Sequence, residues 1–258
     1  MQNKTCGNRY IDIHSHMLPG VDDGAESLET AMDMLRRSAR AGAEAVILTP
    51  HYSGRGQEVA GQRLRDVFEA FLDEVGKQDG LPRLYLGNEI LWYDGALESL
   101  KSGEALSLAD SRYVLTEFYP TSSYMEMERA VRSLGMAGYI PVIAHYERYR
   151  ALKEDQGQER IEELMHQGAL LQMNYHSLEK GGGLIPGLDT RWCRREVLRG
   201  HVSFLGTDAH DLGRRSPSHE EAAAWLTKHM DEEELQGMLY YGPLAVIGDT
   251  VYAGDQRN

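Results

Sequence analysis

His14 and His16 stand two residues apart in Tyr10-Ile11-Asp12-Ile13-His14-Ser15-His16, where apolar and polar residues alternate as in a short strand. On a strand that spacing points both imidazoles to one side, where they can hold one metal ion between them. A lone His-x-His is a common accident, so its meaning depends on how the later strands end. His51 follows the apolar run 45–49, Glu89 follows 83–86, Glu117 follows 113–116 and His145 follows 140–144. Asp208 and His210 follow the run 202–206, and Asp23 lies in the loop after the first strand. Any one of these residues alone reads as a solvated loop residue or a hydrogen-bonded core histidine. Nine N and O donors at the same ends of successive strands read as a metal centre.

That many ligands exceed what one ion takes, whereas two or three divalent ions sharing a bridging carboxylate fit the count. Such clusters hydrolyse phosphate esters, because the ions deprotonate water and stabilise both the attacking and the leaving oxygens. Arginines stand beside two of the ligands, in His145-Tyr146-Glu147-Arg148 and in His210-Asp211-Leu212-Gly213-Arg214-Arg215. Guanidinium groups match phosphate oxygens as a bidentate fork.

The elements that must position these groups follow from periodicity. A helix is predicted over 26–42, with Leu28, Met32, Leu35 and Ala39 as its apolar stripe and Gly42 as its stop. A second helix carries Leu64, Val67, Phe68, Phe71, Leu72 and Val75, and others are predicted over 124–134, 158–167, 192–199, 220–229 and 231–240. Seven strands, ending with 169–174 and 202–206, alternate with these helices. The pattern predicts parallel βαβ units in one closed or nearly closed barrel, since no linker or composition shift divides the chain. In such barrels the C-terminal ends of the strands converge on one face, which is where the nine ligands fall.

Bulk properties narrow the function. The 258 residues are 41% hydrophobic and 26% charged, with a net charge of −13, which argues against a general nucleic-acid binder. An anionic substrate must then be drawn in by local cations. No apolar stretch is long enough to span a bilayer, and the N-terminal residues 1–6 contain no apolar signal region, so a cytoplasmic location without membrane insertion is expected. Cys6 and Cys193 have no ligand spacing and are expected to be structural or incidental.

At these residues the chain resembles the PHP (polymerase and histidinol phosphatase) domain, and within it the metal-dependent bacterial tyrosine phosphatases of the CpsB/CapC/YwqE type. The likeness rests on Asp12-Ile13-His14-Ser15-His16, Val21-Asp22-Asp23-Gly24, Thr49-Pro50-His51, Gly87-Asn88-Glu89-Ile90 and Thr116-Glu117-Phe118. It continues through Pro141-Val142-Ile143-Ala144-His145-Tyr146-Glu147-Arg148-Tyr149 and Thr207-Asp208-Ala209-His210. The Asp-Asp-Gly loop and the Ala-His-x-Glu-Arg-Tyr segment are the parts more particular to this subgroup.

The resemblance implies a PHP-type (β/α)7 distorted TIM-like barrel filling 1–258 as a single domain, with a core of about 10–245 and a short C-terminal tail. It implies three divalent ions, of manganese or else iron or zinc. One would be held by His14, His16, Glu89 and Asp208, a second by bridging Glu89 with Glu117 and His145, and a third by Asp23, His51 and His210. Arg148 and Arg215 would bind phosphate and, with Glu117, make up the catalytic residues. Arg214 competes with Arg215, because Ser216 stands where a proline is usual. Chemistry alone does not separate Asp22 from Asp23; the loop alignment favours Asp23. Asn88 replaces a common alanine and is expected to alter packing rather than ligation.

The implied activity is hydrolysis of phosphotyrosine by a metal-bridged hydroxide, without a cysteine nucleophile. The implied substrate is a polysaccharide-chain-length tyrosine autokinase in capsule or exopolysaccharide synthesis. Rival readings are a small-molecule phosphomonoesterase of the histidinol-phosphate type, an amidohydrolase barrel, and a metal-binding protein without turnover. His166, His201, His219 and His229 are assigned no role, and His176, nearer the rim, could line the pocket, though a structural part is the stronger expectation. Tyr52, Tyr119 and Tyr146 follow rim residues closely enough to stack on an aromatic substrate, and the loop with Arg55 is placed to meet a protein.

Overall fold

The computed structural model describes residues 9–56, 58–155, 159–181 and 185–248. Cys6 with the N-terminal stretch, the first residue of the helix expected from 158, Gly182 and Gly183 of the glycine-rich loop, and the tail beyond 248 lie outside them.

The fold is α/β with an all-parallel, curled sheet. Its strands are β1 (Tyr10–Ser15), β2 (Ala43–Leu48), β3 (His51–Tyr52), β4 (Arg83–Leu86), β5 (Glu89–Leu91), β6 (Tyr113–Glu117), β7 (Ile140–Ile143), β8 (Leu170–Asn174) and β9 (Phe204–Gly206). They run in the orders β1-β2-β4 and β3-β5-β6-β7-β8-β9. The two runs are one sheet with a break. Leu48 pairs with Leu86 and His51 with Glu89, so the register is the same on both sides of Thr49-Pro50 and Gly87-Asn88. Pro50 has no N–H to give the ladder. Asn88, fully buried, replaces the lost bonds, donating from Nδ2 to the Pro50 carbonyl (2.9 Å) and accepting the Leu106 N–H at Oδ1 (2.9 Å). Two of the seven expected strands, 45–49 and 83–86, are therefore each continued by a further short strand beyond the break.

The sheet curls until its ends meet. The His16 N–H donates to the Ala209 carbonyl and the Asp208 N–H to the His14 carbonyl, both at 2.9 Å. Asp12, on β1, reinforces the seam by accepting the N–H (3.0 Å) and the hydroxyl of Thr207. This seam sets the first histidine pair beside the last Asp-x-His.

Helices cover the sheet: α1 (Leu28–Ala41), α2 (Gly61–Val75), α3 (Ala96–Ser102), α4 (Tyr124–Met136), α5 (Arg150–Lys153), α6 (Glu159–His166), α7 (Leu188–Leu198), α8 (Glu220–His229), α9 (Glu232–Gln236) and α10 (Gly242–Gly248). Helix α1 shows why local chemistry decides its ends. The Ser27 hydroxyl caps it by accepting the Thr30 N–H, and Gly42 ends it at φ 100°, a left-handed conformation that glycine adopts without strain. Its buried face is Ala31, Met32, Met34, Leu35 and Ser38, whereas Leu28 is 42% exposed, so the expected stripe is rotated away from its first member. The helix expected over 192–199 starts a turn earlier. The one expected over 231–240 passes from α9 through a π-helical turn (Gly237–Tyr241) into α10.

Candidate metal centre

The strand ends bring all nine predicted ligand residues into one cluster. The polar atoms of His14, His16, Glu89 and Asp208 lie within 4.8 Å of one another, as do those of His16, Asp23, His51 and His210, and those of His51, Glu89 and Glu117. His145 joins through Nε2, 2.7 Å from Glu89 Oε1 and 3.6 Å from Glu117 Oε1. Glu89 is central: its other oxygen lies 3.0 Å from His51 Nδ1 and 3.3 Å from His16 Nε2. His51 thus reaches Glu89 and Glu117 as well as Asp23, to which its Nε2 lies 3.3 Å away. It borders two of the three implied ion sites, where the resemblance assigns it to one.

The hydrogen bonds around the cluster fix which atoms face inward. Gln172 Oε1 accepts the backbone N–H of His145 (2.7 Å) and the Nδ1–H of His14 (3.0 Å). Asp22 Oδ2 accepts the Nδ1–H of His16 (2.7 Å), and the Asp208 carbonyl accepts that of His210 (2.8 Å). In all three rings Nε2 is left to face the cluster, as outer partners dictate in metal-ligating histidines. Asp22 and Asp23 are separated by these contacts. Asp22 orients His16 and accepts the N–H of His51 (3.2 Å) and of Gly24 (3.0 Å), while Asp23 faces His51 and His210. Gly24 permits the loop to lie there, since a Cβ at that position would fall 1.9 Å from the His16 carbonyl oxygen.

These inward atoms fit a cation. Glu89 Oε2 and His210 Nε2 are buried without any hydrogen-bond partner. His14 Nε2 and His16 Nε2 lie only 3.2 Å apart, and His210 Nε2 points a lone pair at Asp23 Oδ1, 3.4 Å away. Buried acceptors crowded together in this way need a cation or a proton between them.

Without a cation, His16 favours a proton: burial works against it, but the adjacent carboxylates of Asp22 and Glu89 outweigh burial and raise its pKa to about 10. His210 is driven the other way, to about 4, by burial and by the charge on His16. Burial opposes ionisation of Glu89 and Asp208, yet the surrounding imidazoles hold both carboxylates below the ordinary range. Glu117 is pushed up, by burial first and then by the charge on Glu89.

The proton on His16 must leave before Nε2 can ligate. It is retained through neutral pH and lost only as the pH rises towards 10, so metal affinity should rise with pH over that window. Adding Mn2+ to metal-free protein at pH 7 is expected to release about one proton per chain from this residue. Calorimetry in two buffers of different ionisation enthalpy measures the release, and its absence would place the ion away from His16.

Two of the clustered residues leave their strands in unusual backbone conformations, His145 at φ 28° and Asp208 at φ 49°. Such left-handed geometry costs about 1–3 kcal/mol in a non-glycine residue and is sustained here by the bonds around it. The carboxamide chain on β8 supplies several. Gln172 Nε2 donates to Asn174 Oδ1, and Asn174 Nδ2 donates to Asp208 Oδ2, each at 2.8 Å. Neither amide was among the expected site residues. Their signal was two polar residues at i and i+2 in an otherwise apolar strand, the same period as His14 and His16.

Beside the cluster is a cleft of about 380 Å³ lined by Arg148, Asn174, His176, Asp208, Arg214 and Arg215 among others. Arg148 pairs with Asp208 Oδ2, and Arg215 Nη2 lies 3.1 Å from Asp23 Oδ2. Arg214 lines the same cleft, so the competition between the two adjacent arginines is not a choice of opposite sides. His176 lines it too and pins the arginine segment, its two ring nitrogens lying 2.9 Å from Glu179 Oε2 and from the Ser216 carbonyl. Cys193 is buried on α7, and burial pushes its thiol pKa up, which makes it a poor nucleophile although Arg199 stands six residues on.

A family model described as "Capsular polysaccharide synthesis, CpsB/CapC" matches residues 10–248. The chain belongs to the CpsB/CapC family. It is 32% identical over 243 residues to the tyrosine-protein phosphatase CpsB of Streptococcus pneumoniae, covering 93% of this chain and 98% of that one. It is 30% identical to the tyrosine-protein phosphatase YwqE of Bacillus subtilis over 86% of each. A solved structure from work on YwqE of B. subtilis and CpsB of S. pneumoniae, described as metal-dependent tyrosine phosphatases, superposes with a TM-score of 0.82 at 29% identity. That match covers 93% of this chain and 94% of the other. A dihydropyrimidinase from Brevibacillus agri shares the fold alone, with a TM-score of 0.54 at 11% identity over 93% of this chain and 70% of that one. No helix among the described residues is long and apolar enough to cross a membrane.

Proposed function

We propose that this CpsB/CapC-family chain is a metal-dependent protein-tyrosine phosphatase. Its scaffold would be a single PHP-type (β/α)7 barrel domain with a core of about 10–245. The observation that carries the reading is the pair of orphaned buried acceptors, Glu89 Oε2 and His210 Nε2, inside a ring of imidazoles and carboxylates that opens on an arginine-lined cleft. His14, His16, Glu89 and Asp208 would hold one divalent ion, Glu89, Glu117 and His145 a second, and Asp23, His51 and His210 a third. Manganese suits this mixed imidazole and carboxylate set, as iron or zinc would.

Bound ions of this kind acidify water and neutralise charge on a phosphoryl group. The chain's own residues do the remainder. Arg148 and Arg215 fork onto the phosphate oxygens, and their pairing with Asp208 and Asp23 aims them before substrate arrives. Arg214 adds a third guanidinium to the wall of the cleft. Glu117, at the rim of the cluster 3.6 Å from His145 Nε2, would serve as a deprotonated ligand and so set one edge of the site where the phosphoryl group meets the ions. A phenolate leaving group, with a pKa of about 10, needs less protonation than an alkoxide. The substrate would be a tyrosine-phosphorylated autokinase of capsule or exopolysaccharide synthesis, met in the cytoplasm.

The deciding test is a comparison of turnover on a phosphotyrosine peptide, a phosphoserine peptide and histidinol phosphate, before and after chelation. Turnover greatest on phosphotyrosine, lost on chelation, restored by Mn2+ and insensitive to thiol alkylation is expected. Activity that survives thorough metal removal, or that favours histidinol phosphate, would overturn the reading.

A further inference from the structure

With the phosphoryl group at the cluster, the aryl ring of a phosphotyrosine must lie at the mouth of the site and pack against the rim. Three tyrosines follow rim residues, but Tyr52 is 6% exposed and Tyr146 fully buried, so neither ring is available. Tyr119 is 49% exposed. It stands two residues beyond Glu117 at the end of β6, and its turn is held by two backbone hydrogen bonds. The Tyr119 carbonyl accepts the Ser122 N–H (2.8 Å), and the Pro120 carbonyl accepts the N–H of Arg150 (3.1 Å), two residues from Arg148.

The side chain of Tyr119 is fixed as well. Arg55 Nη2 donates to its hydroxyl. Arg55 comes from the loop four residues beyond His51, at the end of β3, and β5 lies between β3 and β6 in the sheet. The contact therefore spans the end of the strand that carries Glu89. The loop is built to present this arginine. Glu58 Oε1 accepts the Ser53 N–H (2.7 Å), the Ser53 hydroxyl and the Arg55 N–H (3.3 Å). Gly54, at φ 69°, packs so closely on Tyr93 that a Cβ would fall 2.3 Å from its ring.

From this geometry we infer that Tyr119, held by Arg55, is the wall against which the substrate's aryl ring packs, and so selects aryl over alkyl phosphate monoesters. The inference rests on the phosphatase reading and adds a specificity determinant to it. An offset or edge contact between two rings is worth about 0.5–1.5 kcal/mol beyond simple burial, which corresponds to roughly two- to tenfold in affinity.

The test measures inhibition of the metal-loaded enzyme by a non-hydrolysable aryl phosphonate peptide and by inorganic phosphate. Tyr119→Ala should weaken the phosphonate about five- to tenfold and raise KM for a phosphotyrosine peptide by the same factor, with inhibition by inorganic phosphate within twofold of the parent. Tyr119→Phe keeps the ring and loses the Arg55 bond, so it should sit between the two, and Arg55→Ala should match it. Equal weakening of phosphonate and inorganic phosphate, or no weakening of either, would overturn the inference. If the parent enzyme turns over no aryl phosphate at all, the phosphatase reading itself fails, a distinct outcome.

Discussion

Asp208→Ala is expected to lower kcat for a phosphotyrosine peptide by about a thousandfold or more and to reduce the bound metal by about one ion per chain. The size follows from how the carboxylate is shared. Oδ1 faces His14 Nε2 (3.6 Å) and His16 Nε2 (3.5 Å), whereas Oδ2 accepts from Asn174 and pairs with Arg148. One side chain would thus close the first proposed ion site and aim the arginine proposed to bind phosphate. Asp208→Asn should be nearly as damaging. An amide in this place brings its NH2 either against the donors of Asn174 and Arg148 or into the ligand position, and the remaining oxygen is neutral. Metal analysis alongside kinetics distinguishes loss of the ion from loss of the arginine's orientation. A folded Asp208→Ala enzyme within tenfold of the parent and with its full metal content would remove Asp208 from the site.

The clustering of the nine predicted ligand residues was legible in the sequence because apolar runs mark strand ends, and parallel topology converts those ends into a common face. His14 with His16, and Asp208 with His210, are the clearest instances. Their adjacency required only that the sheet curl until β1 meets the residues after β9, as the His16-to-Ala209 bond shows. What was less visible depends on partners far along the chain. Asp22 and Asp23 have the same chemistry, and only the positions of His16, His51 and His210 decide which carboxylate turns inward. Gln172 and Asn174 are neutral amides whose function lies in the bonds they make to His14, His145 and Asp208, residues up to 158 positions away.

Local punctuation was overridden in two places. Pro50 and Gly87-Asn88 interrupt their strands, yet the register continues across both, so each pair of segments works as one strand with a gap that Asn88 fills. The helical stripe expected from Leu28 holds at Met32 and Leu35 but not at Leu28: periodicity locates a face only to within a residue or so, and the burial of Ala31, Met34 and Ser38 turns it. His176 could be read either as lining the pocket or as structural; it does both, because the contact that holds it in the cleft is with Ser216, on the segment after β9.

Arg148→Ala is expected to cost about 100- to 1000-fold in kcat/KM for a phosphotyrosine peptide while leaving the metal content of the protein intact. The two effects separate because Arg148 touches only the outer oxygen of Asp208, which keeps its bond from Asn174 Nδ2 when the guanidinium is gone. Arg148→Lys should recover a small part of the loss, since one ammonium group matches the charge but not the two-pronged geometry presented to a phosphoryl group. Inhibition by inorganic phosphate should weaken in both variants, more in Arg148→Ala. The side chain lies in the cleft with Arg214 and Arg215, so the loss in Arg148→Ala/Arg215→Ala should depart from the product of the two single losses, a coupling expected of groups that hold one ligand. An Arg148→Ala enzyme within threefold of the parent would mean that the phosphate is bound elsewhere and that the ion pair with Asp208 is structural.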